Sequence, residues 1–304
     1  MITILILLTN AAAALAQSKV LFLRGAERSG GFLEAGNDNE RTEHLADIFN
    51  MQTFGGNHGW GELRLALEDA GFEVEQITET AENASGPSDG IAVALDELPL
   101  SDYDVIVFGS NNAVYDQAAI DAAESWIRDG GGALFISDAN FGSDWADAPN
   151  SDQQFLDRFG LVMNQDQGTY VLERGQSDFD QPDHPVLDGV EAFDGEGVSP
   201  IVAQSQAAVV VGAKDQTRVN EPPFSGQNQG ESRPVGLLDG ALVVIEVDLG
   251  RIAGHFDRNT FFNLNGAGTD INRFDNRTYA INLFEWLAES SPASVVFRDR
   301  FELD

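Results

Sequence analysis

The chain has no cysteine, and Lys19 and Lys214 are its only lysines. The missing thiols exclude a cysteine nucleophile, a cysteine metal site and any disulfide, so stability must come from the core alone. A chain of 304 residues with 42% hydrophobic residues and 20 Phe can supply that core. Basic residues are scarce as well: 17 Lys and Arg stand against 50 Asp and Glu, a formal net charge of -33. Phosphate binding needs a basic surface, so nucleic acid is excluded as a partner. Acidic excess with few lysines suits a surface kept hydrated at high ionic strength, where salt screens self-repulsion. A marine or halophilic origin is one expectation, and a merely acidic soluble protein is the other. No internal repeat with a period of about 20 to 50 residues is visible, which excludes solenoids and propellers.

Long apolar runs are absent except at the start, in MITILILLTNAAAALAQ. That run closes on Ala14-Leu15-Ala16, the small-x-small pattern of a signal-peptidase site, so residues 1–16 are expected to be a signal peptide. Export to the periplasm or beyond the cell follows, with a membrane anchor as the alternative. The run is shorter than the ~20 apolar residues of a span, and no membrane span is expected in the mature chain.

What is present reads as alternating strands and helices. KVLFLR, EVEQIT, DVIVFG and GALFIS are apolar runs of strand length. Between them, GWGELRLALEDAGF and YDQAAIDAAESWIRDGGG carry apolar residues at helical spacing and end on glycine. This order predicts right-handed crossovers and a three-layer, flavodoxin-like, mainly parallel sheet with helices on both faces. One domain over residues 17–290 is expected, with inserted loops at 151–204 and 215–233 and a tail at 291–304. AAVVVGA and ALVVIEV read as two further strands, and NRTYAINLFEWLA as a closing helix with Tyr279, Ile281, Leu283, Phe284 and Leu287 toward the sheet.

In such sheets the ligand crevice lies beyond the carboxyl ends of the strands. The residues there are Arg24 and Glu27, Asn111 and Asn112, Ser137, Asp138 and Asn140, and His255, Asp257, Arg258 and Asn259. Arginines at strand ends of so acidic a chain suit a carboxylate or a sugar hydroxyl, unless they pair with neighbouring carboxylates such as Glu27 or Asp257. His58, in GGNHGWG before a helix, can place an imidazole and backbone N–H groups beside an anion, or is a turn histidine. Asp138, Asp144 and Asp147 invite a calcium reading, but their spacing is not that of an EF-hand loop. No HxH, HExxH, P-loop or GxGxxG pattern is complete, so neither a metal nor a cofactor is expected.

Taken together, the KVLFL strand, GGGALFIS after a helix, DHPVLDGV, a late GR-containing strand and the final NRTYAINLFEWLA resemble the class I glutamine amidotransferase-like superfamily. The ThuA-like branch of trehalose-utilisation proteins and related gliding-motility domains resemble it most, over roughly Lys19 to Ala288. In catalytic members a cysteine sits on a sharp strand-to-helix turn and a His-x-Glu pair follows the last core strand. By position, GALFISDANFG corresponds to the first element and His255-Phe256-Asp257 to the second. The cysteine is missing, which excludes thioester chemistry. The resemblance therefore implies a non-catalytic binding or scaffold module at the cell envelope, for a small molecule, a carbohydrate or an envelope protein partner. The alternative is a hydrolase or carbohydrate-active enzyme using Ser137 or Asp138 with His255 and Asp257, although ISDAN lacks the glycines of a nucleophile elbow. The tail VFRDRFELD is similar to short C-terminal tails of exported Gram-negative proteins, which implies a sorting or attachment role.

Overall fold

The computed structural model describes residues 17–24, 46–51, 53, 59–78, 80–81, 90–109, 115–137, 153–163, 169–196, 198–204, 207–213, 218–219, 239–263 and 269–289. Its strands in the first half are β1 (Lys19–Arg24), β2 (Glu73–Thr78), β3 (Thr80–Ala81), β4 (Gly90–Ile91), β5 (Val105–Phe108) and β6 (Gly132–Ile136). Those in the second half are β7 (Leu161–Met163), β8 (Thr169–Glu173), β9 (Ala192–Glu196), β10 (Ile201–Ala203), β11 (Ala208–Gly212), β12 (Arg218–Val219), β13 (Asp239–Val247) and β14 (Gly250–His255). The helices are α1 (Gly61–Asp69), α2 (Gln117–Arg128) and α3 (Asn276–Ala288).

The main sheet runs β2-β1-β5-β6-β14-β13-β10-β7, and β11 also pairs with β13. Its first five strands are parallel. In chain order they stand 2-1-3-4-5, the flavodoxin-like arrangement. From β14 the sheet continues antiparallel through β13 to β10, β11 and β7. The expected mainly parallel α/β sheet is thus present, with an antiparallel extension that the sequence did not announce.

Both faces of the parallel part are covered, which is why Val20 to Leu23 of β1, β5 and β6 run apolar at successive positions rather than at alternate ones. Val20, Phe22, Val105, Val107, Leu134 and Ile136 point to the face that α1 and α3 cover with Leu63, Leu67, Leu283 and Phe284. Leu21, Leu23, Ile106, Phe108, Ala133 and Phe135 point to the other face, under Ala119, Ile120, Ala123 and Ile127 of α2. In α3 the inward set differs from expectation at two places. Ile281 is half-exposed, while Trp286 turns inward and is 6% exposed. Residues 279, 283, 286 and 287 recur at helical spacing and 281 falls between them.

The region expected as loops at 151–204 corrects that expectation: it holds four strands. β7 and β10 extend the main sheet, while β8, β9 and β12 form a separate antiparallel sheet that adds Tyr170, Leu172 and Phe193 to the first core face. Within 215–233, Arg218 and Val219 form β12, paired with β8.

The helix-to-strand joint after α2 is a close crossing. Asp116 caps α2 by accepting the Ala119 N–H at 2.9 Å, and Gly130 leaves it at φ 123°, a conformation that suits glycine. A Cβ on Gly132 would overlap the main chain of Leu287 in α3. Gly132→Ala is therefore expected to push α3 off the sheet edge and cost about 1–3 kcal/mol, as overpacked cores do. Urea denaturation checks it; an unchanged midpoint contradicts the close approach.

Candidate functional site

β6 and β14 lie side by side, with His255 opposite Ile136, so Ser137 emerges beside the end of β14. The Ser137 N–H donates to the His255 carbonyl at 2.9 Å. Its hydroxyl donates to the Ser199 carbonyl at 2.5 Å and also lies 3.2 Å from the His255 carbonyl. Ser137 has no exposed surface. Its proton is committed to the main chain and it contacts no imidazole nitrogen among the described residues, so the serine–histidine pairing of the alternative hydrolase reading is not formed.

His255 is equally enclosed. Its Nδ1 is 3.0 Å from the Tyr279 hydroxyl and its Nε2 is 3.1 Å from Thr260 Oγ1. The one proton of Thr260 goes to the Asp194 carbonyl at 2.8 Å, so Thr260 can only accept from His255. The tautomer follows: Nε2 carries the hydrogen and Nδ1 accepts from Tyr279. Burial pushes the imidazole down to about 3, opposed only in part by a main-chain contact at Asp257. Burial also pushes the Tyr279 hydroxyl well above the ordinary phenol range. A neutral ring packed on Phe261 and Phe256 at 4.8 and 5.2 Å results.

Asp257 does not orient His255. Its carboxylate accepts the Glu196 N–H at 2.7 Å and the Asn259 N–H at 3.0 Å, tying β9 to the turn that follows β14. Arg258 is 1% exposed, and its carbonyl accepts from the Trp60 indole at 3.3 Å. Asn259 is 8% exposed and opens a short 3-10 turn through Phe261. The stretch expected as the rim of a crevice is instead a buried junction between the sheet, α1 and α3. Arg24 is half-buried at the end of β1. Glu27, His58, Asn111, Asn112, Asp138 and Asn140, and with them the calcium reading, lie outside the described residues.

Three residues that sequence reasoning did not single out complete the junction. Asn263 caps α1 across the fold: its Oδ1 accepts the Glu62 N–H at 2.8 Å and its Nδ2 donates to the Asn50 carbonyl at 2.7 Å. Asn276 and Asp194 exchange bonds, with the Asp194 N–H on Asn276 Oδ1 at 3.0 Å and Asn276 Nδ2 on Asp194 Oδ1 at 2.8 Å. Burial lifts the Asp194 carboxyl to about 6 in spite of Asn276, Arg273 and Thr269. For Asn263 the signal in the sequence was the density of Asn and Thr among Phe in DRNTFFN; Asp194 and Asn276 had none.

A second feature lies apart from these strand ends. The DHPVLDG segment and the last turns of α3 enclose a groove of about 650 Å³. Arg174 shapes it, donating to the carbonyls of Val190 (3.1 Å), Pro182 (2.8 Å) and Leu187 (2.6 Å). From the helix side, Asn282 donates to those of Val186 (3.2 Å) and Asp188 (2.7 Å). His184 packs on Trp286 at 5.3 Å. Among the described residues, no group of three or more His, Asp or Glu is placed to hold a metal ion, and no helix is long and apolar enough to cross a membrane.

No family model and no curated protein matches the chain. Solved structures do match. The mmIFT52 N-terminal domain is 12% identical, with a TM-score of 0.55 over 89% of this chain and 97% of that one. A cytoplasmic protein of Salmonella typhimurium is 18% identical, with a TM-score of 0.51 over 88% and 98%. A ThuA-like protein of Bacteroides uniformis is 14% identical, with a TM-score of 0.48 over 89% and 91%. At such identities the likeness shows the fold alone, an α/β, flavodoxin-like domain.

The two perturbed groups at the junction pull acid stability in opposite directions. Folding lowers the pKa of His255 below its ordinary 6.5, so its contribution is complete above that pH and is lost as pH falls toward 3. Folding raises the pKa of Asp194 above its ordinary 3.8, so its contribution is complete below that pH and is lost as pH rises through 6. The His255 effect is the larger, on the order of 5 kcal/mol, because each tenfold change in proton affinity is worth about 1.4 kcal/mol. Denaturant melts of His255→Gln from pH 3 to 8 should show a flatter acid limb than wild type, whatever the loss at neutral pH. Asp194→Asn should gain on wild type as pH rises toward 6 and keep that gain above it. Parallel curves for all three proteins contradict both assignments.

Proposed function

We infer that the chain is a non-catalytic, amidotransferase-like binding module, exported and acting at the cell envelope. The observation that supports this most is the state of Ser137 and His255, each buried and each committed to structural partners. A serine hydrolase needs a hydroxyl within reach of a base and open to substrate. With no cysteine anywhere, no thiol can take over that role. Binding makes a weaker demand, an open pocket with a few fixed polar groups. Arg24, half-buried at the end of the first strand beside the crossover between β1 and β5, is the described side chain placed to meet such a ligand at the strand ends. A carbohydrate or a small carboxylate suits a guanidinium there. Export rests on residues 1–16 alone.

Thermal unfolding of residues 17–304 in a panel of sugars and small carboxylates tests the reading, with Arg24→Ala as control. A ligand at about 100 times its dissociation constant should stabilise the native state by about 2.7 kcal/mol, and the shift should vanish in the variant. A fluorophosphonate probe should leave Ser137 unlabelled; labelling that depends on His255 would establish the hydrolase instead. Mass determination of exported protein should place the new N-terminus at Gln17.

A further inference from the structure

We propose that the carboxylate of Asp194 is a proton-operated latch on the turn from Thr269 to Asn276: charged, it holds Arg273 and with it the exposed Phe274, and protonated, it lets both go. The turn needs an outside constraint. Phe274 sits at φ 46°, a left-handed conformation that a bulky side chain keeps only when its surroundings impose it. It is also 49% exposed, so little of that constraint comes from burial of its ring. Asp194, which has no exposed surface, accepts from Arg273 Nε at 3.1 Å, from the Thr269 hydroxyl at 3.3 Å and from Asn276 Nδ2 at 2.8 Å. The Arg273 guanidinium stands in turn 5.1 Å over the Phe274 ring. Asn276 closes the turn by donating its N–H to the Arg273 carbonyl at 3.1 Å. Asp275 ties it to β9, accepting from the N–H groups of Glu191 and Ala192 at 2.8 and 3.1 Å.

Of these contacts, the one to Arg273 is the one a proton removes. An amide and a hydroxyl can still donate to a neutral carboxyl, whereas the ion pair loses its Coulomb attraction. The Arg273 side chain is 31% exposed and can turn to water, which the buried Asp194 cannot do. Burial brings the change within reach of ordinary conditions, raising the Asp194 carboxyl to about 6 against the opposing pull of Asn276, Arg273 and Thr269 and with a smaller push from Asp270. The other titratable groups against β9 are His255, which burial keeps neutral down to about 3, Tyr279, whose hydroxyl burial keeps protonated, and Asp257, which accepts two N–H groups. Glu196 is buried two residues along the strand, and β8 sets Val171 opposite Asp194. Acid therefore relieves the fold of a buried charge and loosens the turn at once, because the desolvation cost falls on Asp194 and the lost pairing on Arg273. The latch does not depend on any ligand at the strand ends.

The test is NMR spectroscopy of the protein from about pH 4.5 to about pH 8. The ring and amide signals of Phe274 should move together with the Asp194 carboxyl carbon, with one midpoint near 6. Exchange of the Asn276 amide, corrected for its intrinsic rate, should be about tenfold faster at the acid end, as a local opening requires. Asp194→Asn cannot carry the charge and should hold the Phe274 signals at their acid position throughout. Arg273→Gln should do the same while the Asp194 carboxyl still titrates, at a higher pH for want of its cation, a pattern that a merely structural role would not produce. Phe274 signals that stay fixed in wild type across this range, that titrate unchanged in Asp194→Asn, or that keep their alkaline position in Arg273→Gln would each overturn the proposal. The wild-type titration needs no substitution, so it decides even where a variant fails to fold.

Discussion

A fully buried imidazole has one stable arrangement in this protein, and the neighbouring segments are held in the positions that provide it. His255 needs one acceptor and one donor at fixed places, because leaving either nitrogen unpaired away from water costs roughly 1–3 kcal/mol. Thr260 can accept only because Asp194 takes its hydrogen. Asp194 is in turn held in β9 by its exchange with Asn276 at the start of α3, and Tyr279, one turn further along that helix, supplies the donor. The main sheet, the small sheet and the closing helix thus meet through hydrogen bonds that require one another. Charge has no place there. A protonated ring would lose the water that stabilises its charge, and burial is what holds the imidazole neutral.

The same economy governs the charged residues elsewhere. With a net charge of -33 the folded chain repels itself, yet several of its acids are buried and serve as main-chain acceptors. Asp257 takes two N–H groups, and Asp178 takes that of Glu173 at 2.9 Å. Carboxylates used in this way replace backbone partners that irregular segments lack. The few cations are used as forks rather than as point charges. Arg174 reaches three carbonyls at once, and Arg251 reaches the Trp286 carbonyl and Glu289 while lying 4.9 Å over the Trp286 ring. Lysine has neither the planar fork nor the stacking face, which gives the scarcity of lysine a structural side besides any adaptation to salt.

Legibility in the sequence followed how directly a pattern reports burial. β1, β5 and β6 were plain because a parallel strand covered on both faces is apolar throughout. α2 was plain because Asp116 and the glycines mark its ends. β9 was not, since AFDGE places Asp194 and Glu196 at alternate positions, which reads as a solvent side although both are buried. The ends of β6 and β14 were located correctly, but the burial of Ser137, His255 and Asp257 there was not legible for the same reason. Polar residues after a strand suggest an open rim, and nothing in a single sequence says that Ser199, Glu196 and Asn50 will arrive from distant segments to pair with them.

That misreading bears on how this fold relates to chemistry. The hydroxyl of Ser137 bridges the end of β6 to Ser199, so its loss would free a buried carbonyl. The described polar residues at the ends of β6 and β14 serve as hydrogen-bonding partners for the chain itself. A functional surface must then be sought where polar groups remain unsatisfied.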